Sequence, residues 1–204
     1  MSVFFDFHSH QVNPPPGVTA LISRPAPLPE DGKLYSLQLH PWHLAGTELP
    51  AGFRENAVRA AAIGEIGLDR LRGPELPLQR QLFRTALKVA AEFNKPVVLH
   101  CVRAAAELRS DLKPYPEMKK LLHGFRGGVR ELESWLELGF FVSLAPNALR
   151  PEFAPFASAR IGLETDDGAI PITELYRRAD ELFGADFADV NARNFEAFLG
   201  SGLS

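Results

Sequence analysis

Cysteine is almost absent from this chain: among 204 residues there is one, Cys101. No internal disulfide can form, which points to a reducing compartment and excludes a disulfide-stapled secreted domain. Long apolar runs are missing too. None approaches the roughly 20 residues needed to cross a bilayer, and the opening MSVFFDFHSHQ lacks the basic stretch and apolar core of a secretory leader. A cytoplasmic protein without a membrane partner is expected. Nor is there an excess of positive charge. The net charge is −3, so the whole molecule is not steered toward nucleic acid, and such a role needs a locally basic surface. Repeats, low-complexity tracts and breaks in composition are not found. The length suits one domain and is short for two, so a single domain over 1–204 is expected.

What the chain does have is turns. Its 17 prolines and 16 glycines punctuate short apolar runs at 2–10, 17–24, 33–41, 61–69, 95–101, 119–127, 139–146 and 159–167. Several of these eight candidate strands are almost continuously apolar, as parallel strands covered on both faces are. Helical spacing marks 76–93, where Leu82, Phe83, Ala86, Leu87 and Ala90 share a face and Asn94 ends the run. Shorter helices are expected at 104–112, at 129–138 stopped by Gly139, at 172–184 with Thr173 as N-cap and Gly184 as stop, and at 188–199. Strands alternating with helices in this number predict an α/β fold, a compact (β/α)8 barrel of the TIM type. Proline-rich NPPPG (13–17) and PAPLPEDG (25–32) stand where helices would follow strands one and two, and only a short helix fits near 53–60. One flank is therefore expected to be thinly covered, closed by the last helix or by a second subunit.

The unusual polar residues gather at strand ends. His8 and His10 end the first strand, two residues apart and so on one face. His40 and His43 follow the third in LHPWH, Glu65 lies in GEIGLD, His100 ends VVLHC, His123 follows in LLHGFRGG, and Asp166 ends LETDD. In a parallel barrel the C-terminal strand ends open on one face. His8, His10, Glu65, His100, His123 and Asp166 supply nitrogen and oxygen donors without thiolate, which suits Zn²⁺, Mn²⁺ or Fe²⁺, with Mg²⁺ also open. Six ligands exceed the needs of one catalytic ion and suit two, a clamp for in-line displacement that also makes water acidic enough to attack near neutral pH. Taken singly, His40 and His43 read as hydrogen-bonded core residues. Asp6 and Glu164, two residues before His8 and Asp166, read as structural carboxylates or as acceptors behind a ligating ring.

DFHSH, LHPWH, GEIGLD, PVVLHC, HGFRGG and LETD, in that order, resemble the TatD-like metal-dependent deoxyribonucleases within the amidohydrolase-type barrels. The resemblance extends to the closing VNARNFEAFL. It implies that His8, His10 and Asp166 hold a first metal, that Glu65 bridges, and that His100 and His123 serve a second. It further implies divalent-metal hydrolysis of a phosphodiester, often exonucleolytic on DNA. The chain departs from the family pattern in its two proline loops, in Asp167–Gly168 after the last aspartate, and in Arg103 standing three residues after His100.

Asp166 and Glu65 are the catalytic candidates, Asp166 as the group that orients or deprotonates water. Arg126, Arg103 and Arg70 fall in loops suited to phosphate, since a guanidinium donates two parallel hydrogen bonds. His40 and Trp42 join them as substrate contacts, Trp42 either stacking on a base or packing in the core. Phe125 and Cys101 read as buried packing residues. Two further readings stay open: a di-metal hydrolase of a small ester, amide or phosphate substrate, and a metal-retaining scaffold with a partner-binding flank that forms a homo-oligomer.

Overall fold

The structure is a computed structural model and describes residues 4–184 and 186–200. Ser2 and Val3 of the expected first strand lie outside the described residues. Contacts gather the chain into two compact units, residues 1–22 with 121–204, and residues 23–120.

The first unit holds β1 (Phe4–Ser9), β2 (Val18–Arg24, whose last two residues belong to the second unit), β6 (Lys120–Leu122, whose first residue belongs to the second unit), β7 (Phe141–Leu144) and β8 (Ile161–Leu163). It also holds helices α4 (Val129–Glu137), α5 (Ile172–Phe183) and α6 (Phe187–Leu199). β1 pairs in parallel with β2, β6 with β7, and β7 with β8. Residues 10–17 contain no helix, as the prolines predict. The β1 surface left bare by that missing helix is covered by α6. Phe195 packs on Phe5 and Phe7 with ring centroids 4.9 and 5.2 Å apart, and Phe198 reaches Phe7 and Phe141. Backbone groups here are met by side chains of the closing helices. Asn191 Oδ1 accepts from the Leu163 amide (2.9 Å), its Nδ2 donates to the Phe5 carbonyl (3.1 Å), and Tyr176 Oη accepts from the Phe5 amide (3.0 Å). The VNARNF stretch thus serves both packing and strand satisfaction.

The second unit holds β3 (Leu34–Leu39), β4 (Ala62–Asp69), β5 (Val97–Val102), α1 (Phe53–Arg59), α2 (Leu76–Glu92) and α3 (Ala105–Leu112). β4 pairs in parallel with β3 and with β5. All eight residues of β4 are buried, so Glu65 is carried into the interior by a strand with no solvent face. Residues 25–33 contain no helix, and Leu28 is held by Asn56 of α1, whose Oδ1 accepts from its amide (2.8 Å).

Three expectations need correction. The sixth strand is three residues long and does not run to 127: the chain turns away at Gly124 (φ 62°), and Phe125 packs on Phe153. The eighth strand ends at Leu163, before the acidic pair. Thr173 is not an N-cap. Pro171 takes the cap position, because the apolar face formed by Ile172, Leu175, Tyr176 and Ala179 starts the helix two residues earlier than a Thr173 cap would.

Candidate metal-binding sites

In the first unit, β1 sets Asp6 and His8 on one face, with His10 just past its end. Asp166 lies three residues beyond β8 in a left-handed conformation (φ 54°). Its amide donates to the His8 carbonyl (2.9 Å) and its carbonyl accepts from the His10 amide (3.0 Å). These two bonds deliver its carboxylate to both imidazoles. Oδ1 lies 3.7 Å from His8 Nε2 and 3.5 Å from His10 Nε2. Hydrogen bonds of this kind measure about 2.7–3.2 Å. Two ligands at opposite ends of a tetrahedral edge around an ion, each bonded at about 2.1 Å, stand roughly 3.4 Å apart. The spacing of the three donors therefore fits a shared cation better than mutual hydrogen bonds. His8 is fully buried, whereas His10 and Asp166 keep some exposure.

His123 lies immediately after β6, its ring 4.2 Å from that of His8 and its Nδ1 3.8 Å from Glu164 Oε2. His123, Glu164 and Asp166 make a second group of ligand atoms in this unit. Glu164 is occupied on both oxygens, by the Gly124 amide (2.6 Å) and by Ser143 Oγ (2.5 Å). Asp6 accepts from the His8 amide (3.3 Å) and from Thr165 through amide (3.1 Å) and hydroxyl (2.7 Å). It ties β1 to the segment carrying Asp166. Burial pushes both carboxyls up to about 7, against the hydrogen bonds they accept and, for Glu164, the nearby His123.

A stability prediction follows from this pair. Their unfolded values are 3.8 and 4.5, so between roughly pH 4 and 7 the folded state binds more protons than the unfolded one. Stability then falls as pH rises through that window. Thermal melts of chelated protein should show a midpoint that drops from pH 4.5 to 7.5, with a flatter profile in Asp6→Asn and Glu164→Gln. A wild-type midpoint rising through this range, unchanged in slope by either substitution, contradicts the assignment.

In the second unit Glu65 Oε1 lies 3.0 Å from His40 Nε2 and 2.7 Å from His100 Nδ1. His40 Nδ1 accepts from the Trp42 amide (3.1 Å), which leaves Nε2 as the nitrogen facing Glu65. His100 Nε2 lies 3.0 Å from Asp69 Oδ2, and the same oxygen accepts from Trp42 Nε1 at 2.6 Å. Burial would raise the Asp69 carboxyl, but the hydrogen bonds from Trp42 and His100 outweigh it and hold it below the usual range. In the tautomer whose Nε2–H donates to Asp69, His100 Nδ1 is the nitrogen that faces Glu65 and would bind a cation, and the bond to Asp69 aims it. The donor set therefore fits a divalent ion here as well.

Five of the six expected ligands are at or near strand ends and Glu65 lies in the middle of β4, and each unit brings its own together: His8, His10, His123 and Asp166 in one, Glu65 and His100 in the other. His40, expected as a substrate contact or core residue, is buried against Glu65 and belongs to the candidate ligand group. Asp69 was not singled out by the sequence. Its signal was parity with Glu65, four residues apart on one strand. His43 is exposed and not a core residue. Cys101 is half-buried. Trp42 is 37% exposed, with the Arg72 guanidinium 4.4 Å over its ring. Arg103 and Arg126 are exposed, and Arg70 pairs with Glu107.

Parallel strands alternating with helices, with histidine and carboxylate side chains grouped so that their ligand atoms could hold a metal ion, define a β/α fold with candidate metal sites. The model of the TatD related DNase family matches residues 31–168, and the chain belongs to this family. The likeness to solved structures shows the fold, a barrel of eight parallel strands. The TatD homolog YjjV from Escherichia coli K12 superposes with a TM-score of 0.72 at 21% identity, covering 96% of this chain and 97% of that one. A TatD family hydrolase from Entamoeba histolytica gives 0.75 at 15% identity, over 97% and 98%. In sequence, the chain is 36% identical over 164 residues to a 3'-5' ssDNA/RNA exonuclease TatD from Rahnella sp. (74% of this chain, 59% of that protein). It is 40% identical over 113 residues to the Erwinia tasmaniensis protein of the same name (52% and 44%). The matched segment in the E. coli metal-dependent hydrolase YjjV is 28% identical over 134 residues (61% and 52%). The chain thus spans about half the length of the curated relatives it matches. Among the described residues no helix is long and apolar enough to cross a membrane.

Proposed function

We propose that this chain is a divalent-metal-dependent phosphodiesterase acting on single-stranded nucleic acid. The observation that carries the reading is the approach of Asp166 Oδ1 to His8 and His10, at ion-sharing and not hydrogen-bonding distance. His8, His10 and Asp166 would hold one ion, with His123 beside them, and Glu65, His100 and His40 another. A divalent ion in such a donor set stabilises negative charge on phosphoryl oxygens and makes water easier to deprotonate at neutral pH. Mg²⁺, Mn²⁺ and Zn²⁺ all suit nitrogen and oxygen donors.

The chain's own residues do the rest. Asp166, partly exposed, accepts the proton of the attacking water. Asp69 holds the His100 ring through Nε2. Arg126 and Arg103, exposed, offer guanidinium forks to phosphate. Support for nucleic acid as the substrate comes from family membership and from relatives named ssDNA/RNA exonucleases. The cytoplasmic setting expected from the lone cysteine belongs to the same proposal.

The test is metal-free protein assayed on bis-p-nitrophenyl phosphate and on labelled single-stranded DNA, with Mg²⁺, Mn²⁺ or Zn²⁺ returned and His8→Ala/His10→Ala as blank. Metal-dependent cleavage of both substrates, lost in the blank, is expected. Cleavage of the small diester alone moves the substrate to a small ester. No cleavage by protein shown to bind metal overturns the reading.

A further inference from the structure

A groove of the second unit lies away from its metal-ligand group, between α2 and α3, with a volume of about 470 Å³. Arg80, Arg84 and Lys88 line it at every fourth position of α2, one above another on the same face. Each step of four residues climbs about 6 Å, close to the repeat of an extended polynucleotide backbone. Asp111 of α3 organises the row. Its Oδ1 accepts from Arg80 Nη2 (2.7 Å) and from Arg84 Nε (2.8 Å) and Nη2 (2.6 Å). One buried carboxylate thus fixes two guanidinium planes side by side, while the Arg84 side chain stays 54% exposed.

With Arg70 and Glu107 at the upper end, the groove carries four cations against two anions. The excess is positive on a chain whose total is −3. The groove also begins at a telling place. Leu76 and Pro77 open α2 directly after the loop that leaves β4 at Asp69, and Glu107 is in the first turn of α3, just after β5. It therefore starts at the end of this unit where Asp69 and His100 stand and runs down its outside.

Resting on the nuclease reading above, we propose that this groove holds the sugar–phosphate backbone of a single-stranded polynucleotide beyond the nucleotides at the metal ligands. Arg84 and Lys88 supply phosphate contacts that a short substrate does not reach. The groove lacks aromatic side chains, so binding there follows charge and strand length and not base identity.

The test is fluorescence anisotropy of labelled oligodeoxythymidylates of 3 and 16 nucleotides, bound in EDTA so that no cleavage occurs. For Arg84→Gln/Lys88→Gln the Kd of the 16-mer rises at least ~10-fold and that of the trinucleotide does not move. Its dependence on salt also weakens, by about 1.4 in the log–log slope for two lost single-strand phosphate contacts. An unchanged 16-mer Kd and slope in a folded variant overturn the proposal. So does polyaspartate displacing the 16-mer as well as unlabelled DNA of equal charge, which makes an acidic protein segment the occupant. Should the double variant fail to fold, Lys88→Glu alone, at an exposed position, is expected to weaken the 16-mer at least ~5-fold. Hydrolysis by wild-type protein separates the two readings. Length-dependent binding without diester cleavage by any metal keeps the groove and removes the nuclease. Cleavage with unaltered binding in the variants does the reverse.

Discussion

Replacing Asp166 with asparagine lowers metal-dependent diester hydrolysis at least ~10³-fold, about 4 kcal/mol of transition-state stabilisation, while the protein stays folded. Both halves of this expectation rest on how Asp166 is held. Its backbone fixes the segment through the His8 carbonyl and the His10 amide, and neither bond involves the side chain. Its φ of 54° is a conformation asparagine adopts readily and alanine does not, so asparagine is the informative variant. What is lost is the anionic oxygen facing His8 and His10. Asp166 is also one of the charges that push the Asp6 and Glu164 carboxyls up. Neutralising it relieves that repulsion, and the chelated variant should melt at or above the wild-type temperature. Turnover on bis-p-nitrophenyl phosphate, a melt in EDTA and a metal-binding titration read the three consequences. Near wild-type turnover in the variant removes Asp166 from the site.

Gly67→Ala costs at least about 3 kcal/mol of stability, roughly 6–12 °C in Tm for a chain of this size. Gly67 pairs with His100 in the β4–β5 ladder at φ 151°. A Cβ there would stand 2.0 Å from the His100 carbonyl oxygen and 2.9 Å from its backbone nitrogen and carbon. No side-chain rotation relieves a clash with backbone, so β5 must move, and it carries the His100 ring away from Glu65 and Asp69. Gly46→Ala is the control. It too has a positive φ, of 80°, but nothing within 4 Å, and is expected to lose about 1 kcal/mol from backbone strain alone. Equal losses for the two substitutions show that the close approach of β4 and β5 is not what demands glycine at 67. The clash also explains why GEIGLD is so restrictive a stretch: two strands touch there with no room for a side chain.

Much of this was legible before any coordinates. Near-continuous apolar runs marked the strands because both faces of a parallel strand are covered, and α2 was legible to within a residue from its amphipathic spacing. The candidate ligand groups were legible because a chain seldom places histidine and carboxylate at the ends of apolar runs without a use for them. Failures came where tertiary contacts decide. KKLLHGFRG looks like one strand because Phe125 continues its apolar character, but Phe125 serves a contact with Phe153 and Gly124 has already turned the chain. His40 looked like a single core histidine because its partner, Glu65, is 25 residues away on the neighbouring strand β4. Asp69 passed unnoticed because its importance lies wholly in what it holds, the ring of His100 and the indole of Trp42.

The closure of α6 over β1 sets an order of events during synthesis. In the second unit His100 meets Glu65 across only 35 positions and Asp69 across 31, so its ligand group can assemble while the remainder is still being translated. In the first unit Asp6 waits for Thr165, 159 positions later, and the Phe5 carbonyl for Asn191, 186 positions later. Until then β1, with Phe5, Phe7 and His8, lacks the surface that buries it and is exposed to misassociation. A ribosome paused before the last helix therefore presents a nascent chain with one half of its candidate ligands in place and the other half unformed. Truncations that end before Asn191 should partition to chaperones or aggregates, and not to a partly active enzyme.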